Sequence, residues 1–306
     1  MPAATVVITT YNRSHLLPHA VESAQNAGSD LEIIVVDDAS TDETPQVCSR
    51  LSNIKYVRLG KNGGLANARN LGMAESSCDF ISFLDDDDLR LPNSIDKQLV
   101  VLSRHQESAF CYGQALLGDA QHQLPTGQIY PDQCPQGDIF WELLEHNFIP
   151  VHAVLARKAS LISVGNFNSD LRVVEDWDMW LRVCEVAPVT AIEEPVVIYR
   201  KAVAKSGQMC SNSLNICRNA LKTQETAFNC NRARSGSSAQ RRKVRQKLLN
   251  RLFNILMTEA TEAIHLGDAR TARANLREAF RLRPLRTIAS GRIPWLIFAK
   301  RLSGQL

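Results

Sequence analysis

Short blocks of consecutive apolar residues, each cut off by a polar turn, alternate through the first half of the chain with stretches of helical spacing. Val6-Val7-Ile8-Thr9-Thr10 is the β-branched run expected of a strand covered on both faces. After Tyr11-Asn12-Arg13, with Ser14 as N-cap, the spacing predicts a helix over 15–26 that Gly28 stops. A second strand over 31–36 ends in Asp37-Asp38, and Thr41 or Asp42 caps a helix running through Leu51. A third strand covers 54–59. Gly60, Gly63 and Gly64 loosen the next loop before a helix over 65–75, and a fourth strand, 80–84, runs straight into Asp85-Asp86-Asp87-Asp88.

Strand and helix alternating through short links argue for a parallel sheet built from right-handed crossovers. The carboxyl ends of such strands share one edge, so Tyr11, Asp37, Asp38 and Asp85 to Asp88 are expected to converge there. Burying an uncompensated carboxylate is so costly that the fourth strand is expected to stop at Leu84, leaving the acids at the edge where ligands bind in open α/β sheets. Four carboxylates repel one another unless a cation sits among them, and Mg²⁺ or Mn²⁺ favours such oxygen ligands. The plainer alternative is a solvated acidic turn ahead of a helix starting near Pro92-Asn93.

Further on, the pattern predicts a helix over 93–104, a strand over 109–118, and a long loop over 119–137 of the kind that forms lids or binding surfaces. A short helix over 138–146, a strand over 151–157, a turn at Gly165-Asn166-Phe167, a helix over 175–183 and a late strand over 196–200 follow. Beyond Ser206 only helices are expected. One covers 243–266, with Leu248, Leu252, Ile255, Leu256 and Ala263 at helical spacing, and Gly267-Asp268 separates it from a second over 269–282 that Pro284 ends. Residues 235–240 read as a flexible joint. Two domains result, 1–205 and a basic helical extension, 206–306.

Charge sharpens that division. The net charge of +3 conceals 16 basic and 27 acidic side chains in residues 1–212 against 19 and 5 in residues 213–306. A basic tail on an acidic body suggests a polyanionic partner. No stacking aromatics interleave with Arg241, Arg242, Lys243 and Arg245, which argues against nucleic acid and leaves an anionic membrane surface, a helical cap or a homodimer interface as the uses of the tail. The apolar stretch 293–299, flanked by Arg292, Lys300 and Arg301, fits a membrane interface or a helix docked on its own domain. The eight cysteines lack close-paired metal spacing and read as reduced core thiols. Neither a signal peptide nor a spanning apolar run is visible, so a cytoplasmic location, peripheral to the membrane, is expected.

Val7 to Arg13, Ile34 to Asp42, Asn62 to Asn70 and Phe83 to Asp88 occur in that order and, with Glu175-Asp176-Trp177-Asp178, resemble the family-2 inverting glycosyltransferases of the GT-A fold over roughly residues 4–200. The resemblance implies a nucleotide-sugar donor, with UDP favoured, held by Thr10, Tyr11, Arg13, Asp37, Asp38, Asn67, Arg69, Asp85 and Asp86. It implies an Asp-x-Asp motif at Asp85 and Asp87 that engages ribose and Mn²⁺ or Mg²⁺, and a glycan or lipid-linked acceptor whose hydroxyl is deprotonated by Asp176, with Glu175 as the fallback. One departure concerns the metal. Tyr199-Arg200 is followed by Lys201 to Ser206 without the histidine many members carry there, leaving Lys201 or Lys205 to steady phosphate.

Several residues have plainer readings. Ser40 and Asp42 suit turns and caps, Trp177 and Trp180 suit the core, Arg182 suits a neighbouring acid, and His152 suits a structural role. That no G-x-G-x-x-G follows the first strand argues against a hydride-transferring, dinucleotide-dependent oxidoreductase. The alternatives are a sugar-phosphate nucleotidyltransferase and a non-catalytic nucleotide-sugar or nucleic-acid binding module.

Overall fold

The computed structural model of the chain describes residues 2–119, 127–200 and 213–290. Lys201 and Lys205, the middle of the 119–137 loop and the 293–299 stretch lie outside the described residues. The chain divides into two compact units, Met1–Leu143 with Asn147–Val203, and Leu144–His146 with Ala204–Leu306.

Among the described residues the first unit is built on nine strands: β1 (Ala4–Thr10), β2 (Leu31–Asp37), β3 (Lys55–Arg58), β4 (Phe80–Asp85), β5 (Leu89–Arg90), β6 (Phe110–Gly118), β7 (Ile129–Tyr130), β8 (Val154–Arg157) and β9 (Thr190–Arg200). Its helices are α1 (Leu17–Gln25), α2 (Thr44–Cys48), α3 (Leu65–Glu75), α4 (Ser94–Arg104), α5 (Phe140–Glu145), α6 (Lys158–Ser163) and α7 (Glu175–Val186), and α5 ends in the second unit. The sheet runs β3-β2-β1-β4-β8-β6-β9-β5, with β7 on β6. β1 pairs in parallel with β2 and β4, and β2 with β3, so Thr10, Asp37 and Asp85 reach one edge together.

β1 is wholly buried, as its unbroken β-branched run requires. Val6 and Ile8 join Leu17, Ala20, Val21 and Ile95 of α1 and α4 in one core cluster, while the intervening Val7 meets Gly72 of α3. Alternation along the strand thus seats helices on both faces.

Four expectations need correcting. β4 does not stop at Leu84 but carries Asp85, because that carboxylate finds a guanidinium. The strand expected over 151–157 is a 3₁₀ turn, Val151–Ala153, followed by β8, which runs antiparallel to β4 and β6 within a Rossmann-like sheet that is mainly parallel, as expected. β9 begins at Thr190, six residues early, and its register against β6 shifts around Gln114. α6, β5 and β7 were not anticipated, for two-residue strands carry no periodicity.

The second unit holds α8 (Ser213–Ala227), α9 (Asn231–Ser235), α10 (Ser238–His265), α11 (Ala269–Leu282) and α12 (Pro284–Ala289). Leu248, Leu252, Leu256 and Ala260 of α10 are buried, as are Ala272, Leu276 and Ala279 of α11. Gly267 adopts φ of 74° at the turn, and the Asp268 carboxylate caps α11 by accepting from Thr271 N at 3.0 Å. The expected joint over 235–240 is helical except at Gly236-Ser237, where the Ser237 hydroxyl caps α10. Six of the seven described cysteines are buried. No described helix is long and apolar enough to cross a membrane.

A Cβ on Gly72 would overlap both methyls of Val7. Gly72→Ala is therefore expected to lower stability by about 1–3 kcal/mol despite its better helix propensity. Urea unfolding checks this, and Val7→Ala in the same chain should recover part of the loss.

Candidate active site

The four carboxylates that follow Leu84 are turned inward, and Asp86, Asp87 and Asp88 are buried. They are tolerated because each meets a cation brought from elsewhere in the chain. Arg69 Nη2 reaches Asp85 Oδ1 at 2.9 Å. Arg13 Nη1, in the loop after β1, lies 2.8 Å from Asp86 Oδ1 and 2.9 Å from Asp87 Oδ2. Arg200 Nη2, at the end of β9, lies 2.8 Å from the same Asp87 oxygen, and its backbone N–H donates to Asp88 Oδ1 at 2.8 Å. His152 Nδ1 lies 3.0 Å from Asp88 Oδ2, its ring stacked on Tyr199 at 4.9 Å.

Burial and pairing push the titrations apart. Burial carries Asp86 up to about 7, against Arg13 and helped by Asp87. Burial acts the same way on Asp85, but Arg69, His152 and Arg13 outweigh it and hold that carboxyl below its usual range. For His152, burial alone would lower the pKa, and Asp88 and then Asp85 raise it instead.

Asp85, Asp88 and His152 present ligand atoms within 4.8 Å of one another. His152 Nε2 is buried without a hydrogen-bond partner among the described residues. Two carboxylate oxygens and an imidazole nitrogen suit a borderline divalent ion such as Mn²⁺, so these residues fit the metal that the acidic run suggests. His152, read from the sequence as structural, thus stands in the acidic cluster. Nothing in its flanking residues signals this, because the 3₁₀ turn that delivers it has no pattern of its own.

The other expected residues divide in two. Asp37 closes its own turn, accepting from Ser40 N at 2.7 Å and Tyr56 OH at 2.7 Å. Asp38 accepts from Gly63 N at 2.5 Å and Gly64 N at 2.8 Å, clamping the loop before α3, and Gly64 needs its φ of 85° to present that N–H. Asn67 donates to Gly63 O at 2.8 Å within the same loop. Asn12 Oδ1 accepts from Thr41 N, and Asp42 accepts from Ser14 N and Thr44, so Ser40 and Asp42 act in turns as expected. Thr10 is buried at the end of β1, whereas Tyr11 is exposed.

Arg69 is fully buried rather than lining an open loop. Its Nη1 reaches Glu175 Oε1 at 2.5 Å while Nη2 holds Asp85, so one guanidinium ties the end of β4 to the start of α7. Burial pushes Glu175 up to about 7, opposed by Arg69 and reinforced by Asp176. Asp176 is raised by burial and held back by Arg69, by Trp177 N and by Asn147, whose Nδ2 donates to Asp176 Oδ2 at 3.0 Å. Trp177 and Trp180 are core residues, and Arg182 pairs with Asp178 at 2.7 Å.

Residues 5–161 match the sequence profile of Glycosyl transferase family 2. An uncharacterized glycosyltransferase of Haemophilus influenzae is 28% identical over 197 residues, covering 63% of this chain and 66% of its own, so the match spans just under two thirds of that relative. A Campylobacter jejuni GalNAc(5)-diNAcBac-PP-undecaprenol beta-1,3-glucosyltransferase is 40% identical over 105 residues, 31% of this chain and 33% of its own. Among solved structures, S. aureus TarS 1-349 in complex with UDP-GlcNAc superposes with a TM-score of 0.64 at 18% identity, covering 98% of this chain and 87% of that one. The mannosyltransferase PcManGT from Pyrobaculum calidifontis, in complex with GDP-Man and Mn²⁺, gives 0.57 at 18%, covering 98% and 83%. These likenesses show a shared GT-A fold.

The raised pKa values set a pH dependence. Asp86 and Glu175 hold protons in the folded chain that the unfolded chain has already released above their ordinary values near 4, so stability falls as pH rises toward and through about 7. His152, also raised, adds stability that is lost in the same direction. In EDTA, the urea midpoint is expected to drop between pH 5.5 and 8, and Asp86→Asn should flatten that drop. A midpoint that climbs over this range would contradict the assignment.

Proposed function

Because the chain belongs to glycosyl transferase family 2, we propose that it moves a sugar from a UDP-sugar to a hydroxyl of a glycan or lipid-linked acceptor, in a single inverting displacement. The observation that carries this reading is the Arg69 bridge, which puts Asp85, at the strand edge where a nucleoside diphosphate would lie, one residue of α7 away from Asp176. A leaving-group side and a proton acceptor on one rigid link are what a displacement at a sugar carbon needs.

In the proposed reaction Asp176 takes the proton of the acceptor hydroxyl while its oxygen bonds to the anomeric carbon. The bond from that carbon to the phosphate breaks, and its electron pair leaves with the nucleoside diphosphate. Glu175, bound to Arg69, keeps α7 in register and is the poorer base, its carboxylate already being engaged. Thr10, Tyr11, Arg13 and Asp38 are proposed to surround the base, with Asp37 and Asn67 holding the loops that shape the pocket and Asp86 steadying Arg13.

Of the two carboxylates that the resemblance assigns to the metal, Asp85 stands beside Asp88 and His152, whereas Asp87 is shared by Arg13 and Arg200. Asp85, Asp88 and His152 are therefore proposed to hold Mn²⁺ or Mg²⁺, the His152 nitrogen serving where no histidine follows Tyr199-Arg200. Asp87 is proposed to aim the Arg200 guanidinium at the pyrophosphate and to help Asp86 steady Arg13 beside the base. A divalent ion bound there would offset the charge that grows on the leaving diphosphate. UDP is favoured by the acidic base pocket, and the TarS complex with UDP-GlcNAc is consistent with it.

The helical unit is proposed to meet an anionic membrane surface. Phe280, Leu285 and Ile288 are exposed within nine residues, among exposed Arg277, Arg281 and Arg286, an apolar and cationic mixture suited to the lipid interface. A lipid-linked acceptor would gain from that attachment.

Thermal shift with UDP, GDP and Mn²⁺ tests the donor, since a ligand at 100 times its Kd adds ~2.7 kcal/mol. UDP with Mn²⁺ should raise the melting temperature most, and a larger shift with GDP would overturn the donor assignment. His152→Ala and Asp88→Asn should weaken Mn²⁺ binding, measured calorimetrically, more than Asp87→Asn does. Asp176→Asn should cut UDP release from the donor by about 10²–10⁴-fold with donor affinity unchanged.

A further inference from the structure

Asp176 is held from within its own helix and from outside it. Its Oδ1 accepts from Trp177 N at 2.7 Å, and its Oδ2 accepts from Asn147 Nδ2 at 3.0 Å. The orientation of the Asn147 amide follows from its other bond. Oδ1 takes the Ile149 backbone N–H at 3.2 Å, and because a backbone N–H can only donate, the oxygen faces Ile149 and the NH₂ faces Asp176. Asn147 is itself pinned, since Tyr130 OH donates to its carbonyl at 2.8 Å. Four residues upstream the Trp177 indole N–H donates to Leu143 O at 2.8 Å, a second bond from α7 to the same stretch of chain.

We propose that Asn147 is the positioning residue of the transfer reaction, an amide that fixes the Asp176 carboxylate with its free lone pairs toward the incoming hydroxyl. This rests on the reading of Asp176 as the base. A carboxylate on one rotatable bond otherwise samples orientations in which neither oxygen faces the acceptor, and misplacement of a reacting group is costly in rate. With one donor on each oxygen, Asp176 keeps lone pairs free to accept a proton while its plane is set. The same bond favours the ionised form and offsets part of the burial that, on balance, holds this carboxyl above its usual range. Arg69 also opposes that pull, but it is bonded to Asp85 and Glu175 and cannot orient Asp176. No motif in the sequence marks Asn147, which lies 29 positions from Asp176.

Two variants separate positioning from scaffolding. Asn147→Ala removes both side-chain bonds. Asn147→Asp keeps the shape and the bond from Ile149 N, but replaces the donor facing Asp176 with a second negative oxygen. The readout is steady-state release of UDP by hydrolysis of UDP-glucose or UDP-N-acetylglucosamine, whichever the wild type cleaves faster, with Mn²⁺ present. Both variants are expected to lower kcat by about 10-fold or more, with KM for the donor within twofold and with UDP-induced thermal shifts like the wild type's. In an Asp176→Asn background neither should lower the residual rate further, because the group they orient is gone.

Near-normal kcat in Asn147→Asp beside an impaired Asn147→Ala would assign Asn147 to the turn alone and overturn the proposal. A full rate in Asp176→Asn alone would instead overturn the reading of Asp176 as the base, a separate failure seen in a separate variant.

Discussion

Four consecutive carboxylates at the end of a central strand are the constraint on which this edge of the sheet depends. Taking an ion out of water costs several kcal/mol even after the surroundings relax, so the run Asp85 to Asp88 can be packed inward only if cations come with it. They come from Arg13, Arg69, His152 and Arg200, which lie in the loop after β1, in α3, in a 3₁₀ turn and at the end of β9. Arg13 is 73 positions from Asp86, and Arg200 is 113 from Asp87. No local segment can neutralise the run. Closure of the sheet and assembly of the site are therefore one event, and removing any of these cations would leave a buried charge exposed to its full desolvation cost.

The compensation also arranges chemistry. Arg69 uses its planar fork to join Asp85 on β4 to Glu175 on α7, a task a lysine could not perform with the same geometry. It makes the spacing between the strand edge and Asp176 a property of two rigid elements rather than of a loop. On the other flank Arg13 and Arg200 converge on one oxygen of Asp87, and the guanidiniums that neutralise an acid are also groups that bind phosphate. The loops are stiffened by the same economy of acids. Asp37 and Asp38 accept from N–H or O–H groups of the surrounding loops, so the rim of the proposed donor pocket is held by side chains the sequence alone would assign to the ligand.

The helical unit follows simpler physics. Buried Leu248, Leu252, Leu256 and Ala260 repeat at intervals of four, and α10 and α11 turn at Gly267, which supplies the left-handed conformation the reversal needs. Its Arg-rich exposed positions leave a predominantly basic surface, and the apolar residues among them distinguish it from a merely solvated face.

What the chain declared by itself was periodic or ordered. The β-branched run of β1, the 3.6-residue spacing of α3 and α10, and the charge division near residue 212 were all readable, because each is a local pattern with a local cause. The order of the acidic and Gly-rich motifs was enough to indicate the family that the profile match over residues 5–161 establishes. Tertiary structure decided the rest. It turned β8 against its neighbours, packed Asp86, Asp87 and Asp88 against cations of the protein itself, withdrew Arg69 into a clamp, and brought His152 and Asn147 to the carboxylates. Those outcomes depend on partners 16 to 113 positions apart, and the free energy of a buried charge or amide is set by what surrounds it in space, which no short window along the sequence contains.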